Sequence, residues 1–329
     1  MDLSGVILPV PTPFSDGRVD LARFRDNLVR WLTWEGRPGH PGLGGEPFRI
    51  AGVLVAGSTG EAPFLTEDEV EALIVAARAV VPEDRILLAG AGRESTASTI
   101  EAVRRAGDAG ASAVLVRPPN AFRPHLGETA LVAHFDAVLA AAAVPMVLYS
   151  VPAHIGPGMP VGVVTSLAAN PGVAGVKDSS PDTARIVEIL AGDRPVKGDG
   201  FRVMAGNATV FYPALACGAA GGILAVACVV PGLACSLMAA WASNSQDLAR
   251  HIQKRLTPIA RAVTTRFGIA GLKAALDMIG LFGGEPRSPL QPLDEAARAE
   301  LRAELDHALW SEDQELALGP RLGDPVEVS

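Results

Sequence analysis

Val173-Ala174-Gly175-Val176-Lys177-Asp178 is a short β-prone run that closes on a charged pair. Similar short apolar runs recur along the chain at Val6–Val10, Ile50–Gly57, Ile86–Gly92, Ala113–Arg117, Pro145–Val151, Arg202–Gly206 and Gly222–Cys228. Longer helix-period segments separate them, set off by Gly, Pro, Asn or Asp. This alternation predicts parallel βα units, and eight strands fit a closed (β/α)8 TIM barrel of the α/β class. A doubly wound sheet would want a phosphate-binding turn. Gly90-Ala91-Gly92-Arg93-Glu94-Ser95 lacks the third glycine of that turn, and no G-x-x-x-x-G-K-[ST] occurs.

After about residue 230 the strand signals stop and helical patterns continue through Leu305. The expected organisation is a barrel over 1–230, a C-terminal helical extension over 231–310 and a frayed tail over 311–329. The stretch from Glu35 to Gly45, rich in Gly and Pro, is expected to be an irregular surface loop.

The 329 residues are 49% hydrophobic with a net charge of -8, which allows a large core and argues against a nucleic-acid surface. No apolar run is long enough for a membrane span, and the start, MDLSGVILPV, lacks the cationic region of a secretory signal. A soluble cytoplasmic protein with a small-molecule partner is therefore expected. Cys217, Cys228 and Cys235 have neither metal-site spacing nor a disulfide frame, in keeping with a reducing compartment.

Lys177 is the candidate for the chemistry. Alternation puts Val173, Gly175 and Lys177 on one face of the strand and Ala174, Val176 and Asp178 on the other. A lysine directed into a barrel loses hydration, which favours the neutral amine that can attack a ketone. The alternative is a strand-end lysine that reaches back to solvent. Only four lysines stand against twenty-four arginines. Lys254 and Lys273 fall in the C-terminal helical patterns and Lys197 in a polar turn. Lys177 alone ends a strand, where barrel active sites form.

Tyr149, near the end of the preceding strand, can stand beside Lys177 and relay protons, although a tyrosine in a core strand also needs no function. Gly57-Ser58-Thr59-Gly60-Glu61 follows the second candidate strand, and its hydroxyls and N–H groups could hold a carboxylate. The next helix has its own start at Thr66-Glu67-Asp68-Glu69, a capping box, so Ser58 and Thr59 are not needed as caps.

These motifs, with Tyr149-Ser150-Val151-Pro152 and Gly175-Val176-Lys177-Asp178, resemble the dihydrodipicolinate synthase and N-acetylneuraminate lyase family of class I pyruvate aldolases. The resemblance runs from about Gly5 to Leu305. Glu94-Ser95-Thr96, Arg266-Phe267-Gly268-Ile269 and Pro289-Leu290-Gln291 bring it nearest to 4-hydroxy-2-oxoglutarate aldolase. It implies a homotetramer or dimer, Lys177 as the imine-forming lysine, Tyr149 as proton shuttle, Ser58 and Thr59 as holders of the pyruvyl carboxylate, and Ser179 as a second carboxylate contact. It implies no cofactor, and no metal is called for, since no H-x-H or H-E-x-x-H pairing occurs.

Two departures from the family pattern bear on the substrate. His154 stands where the synthases carry an arginine that grips the carboxylate of the second substrate, aspartate semialdehyde. The stretch Arg117 to Arg123 lacks the tyrosines that commonly extend the proton relay. The implied reaction is cleavage of 4-hydroxy-2-oxoglutarate to pyruvate and glyoxylate, or another aldehyde; His154 is a candidate to select an acidic or polar distal end, the alternative being a solvated loop histidine. Alternatives are a dihydrodipicolinate synthase, another 2-oxo acid dehydratase or hydratase-aldolase using the same imine, and a catalytically silent barrel that only binds a 2-oxo acid.

Overall fold

The computed structural model describes residues 1–36, 43, 47–152, 156, 158–191 and 200–309. Eight parallel strands close into a barrel: β1 (Gly5–Pro9), β2 (Gly52–Val55), β3 (Ile86–Gly90), β4 (Ala113–Val116), β5 (Met146–Ser150), β6 (Val173–Asp178), β7 (Arg202–Ala205) and β8 (Gly221–Ile223). Each pairs with its sequence neighbours, and β8 returns to β1 through Val6↔Gly222. This is the (β/α)8 barrel that the strand rhythm predicts.

The helices follow in order: α1 (Leu21–Thr33), α2 (Glu67–Arg78), α3 (Thr96–Asp108), α4 (Glu128–Leu139), α5 (Val161–Leu167), α6 (Ala184–Ala191), α7 (Phe211–Ala216) and α8 (Pro231–Ala242). The Thr66 hydroxyl accepts the Glu69 N–H and the Glu69 carboxylate accepts the Thr66 N–H, so α2 begins with the expected capping box. Beyond α8 come α9 (Gln246–Arg261), a π-turn at Ala262–Arg266, α10 (Gly268–Met278) and α11 (Glu295–Leu309).

The core has two compartments because strand side chains alternate. One lies inside the barrel and includes Ile7, Leu54, Leu88, Leu115, Val147 and Ile223. The other fills the space between strands and helices, with Val53, Leu87, Val114, Leu148 and Val203 facing Phe24, Leu73, Val103 and Phe135.

Three local expectations are corrected. The pairing of β6 with β5 slips between Val173 and Gly175, so Val173 packs in the outer compartment and Ala174 in the inner one. A bulge therefore breaks the alternation, and Val173 does not share a face with Lys177. Strand β8 ends at Ile223, and Ala225–Cys228 turns into a 3-10 helix instead of continuing as strand. Glu35–Gly36, expected to be irregular, pairs antiparallel with Phe48–Arg49; the rest of that loop apart from Leu43 lies outside the described residues, as does the tail beyond Leu309.

Candidate active site

A cavity of about 390 Å³ opens at the C-terminal ends of the strands. Ser58, Thr59, Tyr149, Lys177 and Ser179, named from sequence as site residues, all line it. His154 lies outside the described residues.

Lys177 is 5% exposed and Tyr149 6% exposed, and the two are register partners on β6 and β5. The lysine nitrogen stands 4.5 Å from the centre of the tyrosine ring. Two positions before the lysine, Gly175 makes room for backbone rather than for the lysine stem, since a Cβ there would overlap the Arg202 carbonyl oxygen. The following residue, Asp178, is buried; its Oδ2 pairs with Arg185 Nε at 3.1 Å and its Oδ1 accepts the Ser180 N–H at 2.7 Å. The end of β6 is thereby fixed on the side away from the cavity. Behind it lies Cys228, whose thiol is pushed well up by burial, with the Lys177 ammonium pulling the other way. Cys228 is fully buried, its thiol donates to the Pro9 carbonyl at 3.4 Å, and it is not among the described residues that line the cavity.

Ser58 and Thr59 sit in a turn whose ends, Ala56 and Glu61, have φ of 51° and 60°, a left-handed region unusual for residues with side chains. The Thr12 hydroxyl donates to the Gly60 carbonyl at 2.6 Å and holds the turn from below. Gly90 is required beside it, because a Cβ there would overlap the Ala56 carbonyl oxygen. Ser179, just past β6, lies against Gly206, where a Cβ would overlap the serine Oγ.

Sequence reasoning missed one wall of the cavity. Thr264 and Thr265 from the π-turn and Ile269 and Leu272 from α10 line it opposite the strand ends, and Asn207 lines it after β7. The only signal was the Arg266-Phe267-Gly268-Ile269 motif, and Arg266 itself turns outward to Glu300.

A smaller cavity of about 90 Å³ touches Ser58 and Tyr149 on another side and is bounded by Gly92, Arg93 and Arg117. Here lies the segment from Arg117 to Arg123. It folds around Glu94, which pairs with Arg117 at 2.6 Å and accepts the N–H groups of Asn120 and Ala121. Burial raises the Glu94 carboxyl, but these donors outweigh it and hold the group below its ordinary range. Phe122, with φ of 57°, is left 80% exposed. The next residue, Arg123, donates to the Gly158 carbonyl at 2.8 Å, and Arg185 donates to that of Met159 at 2.7 Å. Two arginines thus pin the chain just beyond the His154 segment.

Among the described residues, no three His, Cys, Asp or Glu side chains gather as a metal would need, and no helix is long and apolar enough to cross a membrane.

A family model described as the dihydrodipicolinate synthetase family matches residues 2–308. The 4-hydroxy-tetrahydrodipicolinate synthase of Exiguobacterium sibiricum is 33% identical over 291 residues, spanning 88% of this chain and 92% of that protein. The enzyme of the same name from Methanosarcina mazei is 30% identical over 302 residues, spanning 92% and 97%. Among solved structures, dihydrodipicolinate synthase from Thermotoga maritima superposes with a TM-score of 0.83 at 27% identity, covering 93% of this chain and 98% of its own. These relatives carry the synthase name, and none of the three bears out the expected nearer resemblance to 4-hydroxy-2-oxoglutarate aldolase.

Proposed function

The chain belongs to the dihydrodipicolinate synthetase family, a family of Schiff-base lyases, and we propose that it cleaves 4-hydroxy-2-oxoglutarate to pyruvate and glyoxylate through an imine on Lys177. The observation that carries this reading is the buried pair of Lys177 and Tyr149, side by side in the cavity that also holds Ser58, Thr59 and Ser179.

In this mechanism the hydroxyls of Ser58, Thr59 and Ser179 hold the C1 carboxylate of the 2-oxo acid. Lys177, after giving up its proton, attacks the C2 ketone, and Tyr149 exchanges the protons that turn the carbinolamine oxygen into a leaving water. The cationic imine that results is the electron sink. Removal of the C4 hydroxyl proton lets the C3–C4 bond break; its electron pair becomes the enamine and glyoxylate departs. Protonation at C3 and hydrolysis release pyruvate and restore the lysine. His154 is assigned to the distal end of the substrate. Assembly as a homotetramer or dimer belongs to the same proposal.

The relatives' names favour a second reading, condensation of pyruvate with aspartate semialdehyde. The two are separated by coupled assays with each substrate. The first requires glyoxylate-forming cleavage and a higher Michaelis constant for it in His154→Ala; efficient semialdehyde condensation by the wild type would give the assignment to the second.

A further inference from the structure

Lys273, which the chain pattern assigns to the C-terminal helices, sends its ammonium to the turn after β2. Its Nζ lies 2.6 Å from Glu61 Oε1, and both side chains are 0% exposed. Glu61 is the last residue of the turn that carries Ser58 and Thr59, and its other oxygen accepts the Arg287 N–H at 2.7 Å. The lysine also donates to the Glu285 carbonyl at 3.0 Å and lies 4.4 Å from the centre of the Phe14 ring. Burial pulls the Lys273 ammonium below its ordinary pKa range, with Glu61 pushing the other way.

Two fully desolvated charges are a poor stability device, since well-packed apolar residues of similar volume often serve as well or better. A buried pair does fix geometry. Here one end is a turn whose Ala56 and Glu61 occupy costly left-handed backbone, which persists only where surroundings over-determine it. The other end is α10, whose Leu272, adjacent to Lys273, lines the wall of the main cavity. Neither Glu61 nor Lys273 is among the described residues that line that cavity.

We propose that Glu61 and Lys273 are positioning residues that lock the Ser58–Thr59 turn to α10 and so set the grip on the substrate's C1 carboxylate. This rests on the imine chemistry proposed above. It predicts a loss confined to ketones that carry a carboxylate.

The test is borohydride trapping at Lys177 over a concentration series of pyruvate and, separately, of hydroxyacetone, a ketone without a carboxylate. In Glu61→Gln, which keeps shape and the acceptor for Arg287, half-saturating pyruvate is expected to rise about tenfold or more, the scale of weakened hydrogen bonds to a charged group. Half-saturating hydroxyacetone is expected to stay as in the wild type. If the single variant does not fold, by circular dichroism, Glu61→Gln with Lys273→Met removes both charges at similar volume and carries the same comparison. Equal weakening of both ketones, or of neither, would overturn the proposal while leaving the imine chemistry intact. A wild type that forms no adduct would overturn the imine chemistry, and the positioning role with it.

Discussion

Tyr149 faces Lys177 directly across the β5–β6 pairing, and the lysine nitrogen stands over the tyrosine ring at 4.5 Å from its centre. Ring and hydroxyl can therefore be separated by substitution. Tyr149→Phe keeps the aromatic face against the ammonium and removes only the proton-exchanging group. Turnover is expected to fall by about 10²–10⁴-fold, the range of general acid–base groups, with little change in thermal midpoint. Steady-state kinetics beside a melting curve checks this. Unaltered turnover in a folded variant would return Tyr149 to packing alone.

Gly206 makes room for Ser179. A methyl group at 206 would overlap the serine Oγ and come within 3.0 Å of its Cα and Cβ, so Gly206→Ala must displace the hydroxyl from its place in the cavity. The Michaelis constant for the 2-oxo acid is expected to rise by about tenfold, the scale of one lost hydrogen bond to a charge. An unchanged constant would remove Ser179 from carboxylate binding.

His134 offers a pH test of the scaffold away from the cavity. Its Nδ1 meets the Thr96 hydroxyl at 2.9 Å, its Nε2 is buried without a hydrogen-bond partner, and burial holds its pKa below the ordinary imidazole value. The folded protein thus resists a proton that the unfolded chain accepts near pH 6.5. The unfolded state binds more protons in the window below that value, so stability falls as the pH drops through it. In His134→Gln the thermal midpoint should decline less between pH 7.5 and pH 5.5, a window set around that reference pKa. Parallel declines in the two proteins would show that other groups govern this range.

The barrel was legible because its strands are short β-prone runs bounded by turn residues, a signal local to each segment. Lys177 was legible for a related reason: a rare residue type at the end of such a run stands out without knowledge of the fold. The bulge at Ala174 was not, since alternation assumes unbroken pairing and a slipped register depends on the neighbouring strand. Thr264, Thr265 and Leu272 were missed because a helical period reports that a face is buried, not what it faces. The Lys273–Glu61 pair joins segments far apart in the chain. The helical pattern placed that lysine on a helix and gave no sign that its ammonium reaches the turn after β2.

The central claim is the imine on Lys177. Wild-type protein incubated with pyruvate and reduced with borohydride, then digested and mapped by mass, should carry one reduced pyruvyl adduct, on the peptide containing Lys177. Lys177→Arg, which keeps the charge but no primary amine, should carry none. No adduct at saturating pyruvate, or an adduct at Lys254 or Lys273 instead, would contradict the account.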